Sequence, residues 1–207
     1  MIDSSHNNYA ITTMGALVVS GGPFFDSNCI SFDGIDDYLK APASSSWNLS
    51  DKWTIDFWMK PSGSIGRNTF VYCLDLSTNT DWSCYINTEV PNFNFEVYGP
   101  FGALTFSTPA ISIDFDVWHH VAFVRNEADM YIFLDGISQT VYVTPWESFT
   151  TAGELKIGMG FDEDWFSGLL AEVRLTNNEA LWTSDFIVPT YPTKGDNDPD
   201  RETIISF

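Results

Sequence analysis

A chain of 207 residues with a formal charge of −19, from 28 acidic against 9 basic residues, repels phosphate backbones and anionic bilayers, which argues against nucleic acid and membrane surfaces as partners. At 44% hydrophobic it can bury a full core, yet no window approaches the uninterrupted apolar run that spans a bilayer. Three cysteines, an odd number, cannot form the framework of a disulfide-stapled fold.

The first residues, Met1-Ile2-Asp3-Ser4-Ser5-His6-Asn7, offer neither the basic segment nor the apolar stretch of a secretion signal. Strand-like runs bounded by turn residues follow: Ala16 to Ser20, Cys29 to Asp33, Asp37 to Ala41, Trp53 to Lys60, Thr69 to Asp75, Trp82 to Asn87 and Asn92 to Tyr98. They continue with Leu104 to Ser107, Trp118 to Arg125, Met130 to Asp135, Ser138 to Val143, Leu155 to Gly158 and Leu169 to Thr176. No long helical period interrupts them, although a short helical turn is expected around Asn178 to Trp182. The pattern predicts an all-β fold, a two-sheet antiparallel β-sandwich of the jelly-roll kind.

Within these runs, Trp53, Ile55, Phe57 and Met59 share one face and are predicted to point inward, which leaves Thr54, Asp56, Trp58 and Lys60 on the other. Trp58 is expected under a neighbouring loop. A turn centred on Thr78-Asn79 would set Cys73 opposite Cys84, close enough to bridge, with reduced thiols the favoured state; Cys29 reads as a small core hydrophobe. The stretch Val117 to Arg125 and Met130 to Gly136 reads as two adjacent strands closed by an Asp-Gly turn. His119 and His120, being neighbours in a strand, must face opposite ways and cannot share a metal; one is expected to be packed and the other partly exposed. The sandwich is assigned to residues 1–190 and an acidic, proline-containing tail to residues 191–207. That tail ends in the β-prone Thr203-Ile204-Ile205-Ser206-Phe207, read either as a frayed end or as a segment able to add a strand to a neighbouring subunit.

Several of these segments carry a family resemblance. Ile30-Ser31-Phe32-Asp33-Gly34-Ile35-Asp36-Asp37-Tyr38-Leu39, the run Trp53 to Pro61, Trp118-His119-His120-Val121-Ala122 leading to Leu134-Asp135-Gly136, and Phe166-Ser167-Gly168-Leu169-Leu170-Ala171-Glu172-Val173-Arg174-Leu175 occur in the order found in laminin G-like jelly rolls of the concanavalin A-like lectin and glucanase superfamily; Asp3-Ser4-Ser5 adds to the match. The ending Glu179 to Thr190 resembles the way such domains finish in structural proteins of tailed bacteriophages. The resemblance implies a jelly roll that presents loops or a face to glycans or proteins, often with one Ca²⁺, and a place on the virion surface after synthesis in the host cytoplasm.

Candidate chemistry follows from residue types. Loop aromatics supply the apolar platform of a glycan site, and Trp82, Trp146 and Trp165 are the candidates, each with core packing as its alternative. The acidic turns Asp33 to Asp37 and Gly160 to Asp164 present Asp36, Asp37, Asp162 and Asp164 as hard oxygen donors for Ca²⁺, with two solvated turns as the alternative reading. The superfamily's glucanases are known to carry acids at alternate positions of one strand, and no strand here does so, which argues against a glycosidase. The expected function is a non-catalytic virion surface protein, decoration or tail-associated, that binds a glycan or cell-surface polysaccharide and meets other virion subunits through its C-terminal segment. A purely structural decoration subunit is the alternative; a polysaccharide-degrading enzyme ranks below both.

Overall fold

A computed structural model describes residues 7–63, 66–100, 102–143, 151–190 and 202–206, the last segment through its backbone. Two antiparallel sheets face each other. One contains, in spatial order, β1 (Thr12–Met14), β4 (Tyr38–Ala41), β13 (Glu154–Ile157), β6 (Arg67–Asp75), β7 (Thr80–Asn87), β8 (Asn92–Gly99) and β9 (Gly102–Ser107). The other contains β12 (Ile137–Val143), β11 (Asp129–Leu134), β10 (His119–Asn126), β5 (Lys52–Pro61), β14 (Ser167–Asn177), β3 (Asn28–Asp33) and β2 (Leu17–Ser20), with β15 (Glu202–Ser206) paired beside β14. The all-β sandwich predicted from alternation is the observed architecture. Among the described residues no helix is long and apolar enough to cross a membrane.

The core lies between the sheets and is built from rings. Trp53, Ile55, Phe57 and Met59 of β5 all have 0% exposure, as the alternation predicts. Phe57 meets Phe70 of the facing sheet at 4.7 Å between ring centroids, and Trp53 meets Phe95 at the same separation. Such tilted contacts suit the ring quadrupoles and join the layers through their largest apolar side chains.

The opposite face of β5 is buried as well, which strand alternation alone does not foresee. Asp56 accepts two hydrogen bonds from Arg174 of β14, at 2.8 and 2.9 Å, and its Oδ2 lies 3.3 Å from His120 Nε2. The segment after β14 crosses this face and covers it. Trp182 and Phe186 stack on each other at 4.0 Å, both lie edge-on to His120, and they pack over Ala122, Val124 and Phe133. No helical turn forms at Asn178 to Trp182, because this stretch is an extended strap held by Thr54, whose Oγ1 donates to Glu179 O and accepts from Leu181 N–H. Gly136, with φ of +78°, completes the docking: its carbonyl accepts from Phe186 N–H, and a Cβ there would stand 2.1 Å from Phe186 O.

His119 and His120 face opposite ways, as alternation requires, but both are buried. His119 Nδ1 pairs with Asp135 at 2.8 Å, so the expected exposed histidine is a packed one. Trp58 lies edge-on to Phe24 and to His120, under the predicted loop cover. Two further readings are corrected. Cys73 stands opposite Trp82 and Cys84 opposite Val71, because the Asp75 carboxylate accepts the N–H and the hydroxyl of Ser77 and starts the turn early; both thiols are free and buried. A strand that the sequence reading omitted, β1, pairs with β4. The C-terminal strand β15 pairs with β14 of its own chain.

Candidate functional site

The outer face of the seven-stranded sheet holds the candidate site. Alternation along β7 and β8 sends Trp82, Cys84, Phe93 and Phe95 into the core, and the intervening residues outward. Strand register then lines these up in rows. Leu74, Asp81, Tyr98 and Ala103 form one row, and Tyr72, Ser83, Glu96 and Thr105 the next. A bulge in β6 between Thr69 and Val71 shifts the phase of that strand, so that Arg67 and Tyr72, an odd number of residues apart, reach the same face.

The loop after β13 overhangs this face. Asp164 O accepts from Thr69 N–H at 3.4 Å and from Gly160 N–H at 3.2 Å, and Gly158 N–H donates to Phe70 O at 2.9 Å. Together, sheet and loop enclose a groove of about 370 Å³ lined by Arg67, Tyr72, Leu74, Leu76, Asn79, Asp81, Glu96, Tyr98, Ala103, Phe161, Asp162 and Asp164. A second depression of about 440 Å³ lies across the Leu74 and Leu76 ridge, lined also by Glu154 and Lys156.

Arg67 organises the groove. Its guanidinium carbon sits 3.7 Å from the centroid of Tyr85, and its nitrogens reach Glu96 at 3.4 Å, Asp164 at 3.2 Å and Ser83 Oγ at 3.0 Å. Asp81 and Asp162 also line the groove, so four carboxylates share it with this one guanidinium. Burial and the charge of Glu96 push the Asp81 carboxyl up to about 6, against the pull of Arg67. Burial also raises Asp164, and burial with the neighbouring Glu96 pushes the Tyr85 phenol up to about 12. Tyr72 is 2% exposed, lines the groove, and has a buried hydroxyl with no hydrogen-bond partner.

Of the residues singled out from sequence, few converge here. Trp82 is a core residue at 0% exposure whose Nε1 donates to Trp47 O, so it cannot act as a platform; its place in β7 points it between the sheets. Trp165 is half-buried beside the groove loop, 5.9 Å from Tyr38 between ring centroids. Trp146 lies outside the described residues. The two acidic turns differ in kind. Asp33, Asp36 and Asp37 bring one carboxylate oxygen each within 4.8 Å of one another, whereas Asp162 and Asp164 line the groove and Asp164 pairs with Arg67. In the first turn Asp33 accepts from the N–H groups of Ile35 and Asp36, and Asp37 accepts from Asp33 N–H, so part of the oxygen donor capacity is spent on the backbone. The remaining oxygens are hard donors that fit Ca²⁺ chemically. Of the residues missed by sequence reading, Tyr72, Asp81, Tyr85, Glu96 and Tyr98 were marked by alternation, each following or preceding a core residue in β6, β7 or β8, whereas Arg67, set by the β6 bulge, was not.

The chain belongs to the concanavalin A-like lectin/glucanases superfamily, whose laminin G-type profile matches residues 33–183. No protein of curated function matches the sequence. Among solved structures, the chain resembles a heptameric SAP-like pentraxin from Limulus polyphemus at 21% identity and a TM-score of 0.54, covering 75% of this chain and 77% of the other. It also resembles domain 4 of AbnA, an extracellular arabinanase from Geobacillus stearothermophilus solved with arabinotriose, at 13% identity and a TM-score of 0.62, over 83% and 86% of the two chains. The enzymatically active domain of bacteriophage CBA120 tailspike protein 2 matches at 12% identity and a TM-score of 0.62, over 96% of this chain but 32% of the tailspike chain. At these identities the likeness is one of fold.

Proposed function

We propose that this protein is a non-catalytic glycan-binding jelly roll displayed on the surface of a tailed-phage particle, as a decoration or tail-associated subunit, where it contacts a host polysaccharide alongside other virion subunits. The groove on the seven-stranded sheet carries this reading. Tyr98 and Phe161 are exposed rings able to lie against a sugar face, while Arg67, Glu96 and Asp164 fix one another in place and present fixed hydrogen-bonding groups. The phage setting draws support from the ending Glu179 to Thr190 and from the tailspike's shared fold.

A glycan array probed with the intact chain, followed by calorimetry on the sugars retained, tests the proposal. Arg67→Ala and Tyr98→Ala are expected to weaken binding about ten-fold or more while the fold persists, and an array with no retained sugar would refute it. A second reading, glycoside hydrolysis, rests on Asp81 and Glu96 lining the same groove, where burial and Glu96 push the Asp81 carboxyl up to about 6, in the direction a general acid needs. Release of reducing ends from any bound polysaccharide, abolished by Asp81→Asn, would establish that reading instead.

A further inference from the structure

Resting on the glycan-binding proposal, the charge balance of the groove narrows its ligand. Glu96 and Asp164 share the one guanidinium of Arg67, and among the described residues no cation pairs with Asp81 or Asp162. The buried Tyr72 hydroxyl, influenced by both Asp81 and Asp162, has no hydrogen-bond partner. Carboxylates only accept, and a neutral phenol can accept as well. A ligand group rich in donors and positively charged satisfies all three, whereas an acidic sugar would meet unscreened negative charge.

We infer that the groove selects a glycan bearing free amino groups, of the glucosamine type without N-acetylation, whose ammonium is received by Asp81, Asp162 and the Tyr72 hydroxyl. The apolar ridge of Leu74 and Leu76, with Phe161 opposite, then flanks the sugar ring. An N-acetyl group would remove the charge and two of the donors at the same atom. An oligogalacturonate would be excluded outright.

Calorimetry with three trisaccharides, of glucosamine, N-acetylglucosamine and galacturonic acid, reads this directly at pH 7 and low ionic strength. The glucosamine trisaccharide is expected to bind at least ten-fold tighter than its N-acetylated form, and the galacturonate not at all. Because a strongly acidic protein attracts any cation, the Asp81→Asn, Asp162→Asn double variant and Tyr72→Phe serve as controls, each checked for its melting temperature. Both are expected to reduce the ten-fold preference, while Asp129→Asn, on the other sheet, leaves it in place. An unchanged preference in the double variant would assign the effect to net charge and overturn the inference. Equal affinity for the free and N-acetylated sugars would overturn it and leave the glycan proposal standing. Failure of every trisaccharide and of the wider array overturns both. Displacement of the glucosamine trisaccharide by stoichiometric Ca²⁺ would make the occupant a metal ion and overturn it too.

Discussion

Arg174 grips Asp56 through two parallel hydrogen bonds of 2.8 and 2.9 Å, and both side chains are buried on the side of their sheet that faces away from the main core. The pair exists because a strap of sequence closes over it. Burial works against a charged Asp56, yet Arg174 and His120 hold its carboxyl below the usual carboxylate range. Removing one partner leaves the other charged and dry, so Arg174→Met is expected to cost about 3–5 kcal/mol in urea denaturation. Since the folded carboxyl titrates lower than the unfolded one, the stabilisation is present above the ordinary carboxylate range and is lost as pH falls through the folded value; the variant should show a shallower acid transition.

Asp81 has the opposite sign. Its folded carboxyl titrates at about 6 against an ordinary 3.8, so between those values the unfolded chain ionises first and folding weakens as pH rises. Above pH 6 the full cost is present. Asp81→Asn is therefore expected to stabilise the protein at pH 7.5 by about 1 kcal/mol, after allowance for its partial exposure, and to have no effect at pH 3.5. Thermal melts at the two pH values decide the matter.

Two of the three candidate platform tryptophans, Trp82 and Trp165, should separate cleanly. Trp82→Ala opens a void between the sheets and is expected to cost about 3–5 kcal/mol. Trp165→Ala removes only a half-buried ring beside Tyr38, and about 1 kcal/mol is the expected loss. Chemical denaturation of both variants in parallel compares the two.

The turn that gathers the Asp33, Asp36 and Asp37 carboxylates is where a Ca²⁺ effect is expected, rather than the groove loop with Asp162 and Asp164. A rise in melting temperature at millimolar Ca²⁺ is expected to vanish with Asp36→Asn and to survive Asp162→Asn. The reverse pattern would move the ion to the groove.

Much of the sandwich was legible because strand alternation is a strong signal: the inward set Trp53, Ile55, Phe57 and Met59 follows from spacing alone. The turn at Asp75 was not, since a one-residue difference in where a side chain captures backbone N–H groups changes every partner along the hairpin. The buried outer face was hidden for a different reason. Thr54, Asp56 and Arg174 look like solvent-facing positions until a segment distant in sequence, with Trp182 and Phe186, lies across them. The site itself was partly visible as loop acids at Asp162 and Asp164, but its floor depends on a bulge in β6 that carries no obvious sequence mark.

The strand β15 is stitched into one layer of the sandwich, while the groove opens from the back of the other. A support that grasps the protein by that strand therefore leaves the groove turned outward, whereas attachment beside β1 would crowd the layer that carries the groove. Tethering geometry, as much as affinity, would then govern how many copies on a crowded surface can engage at once.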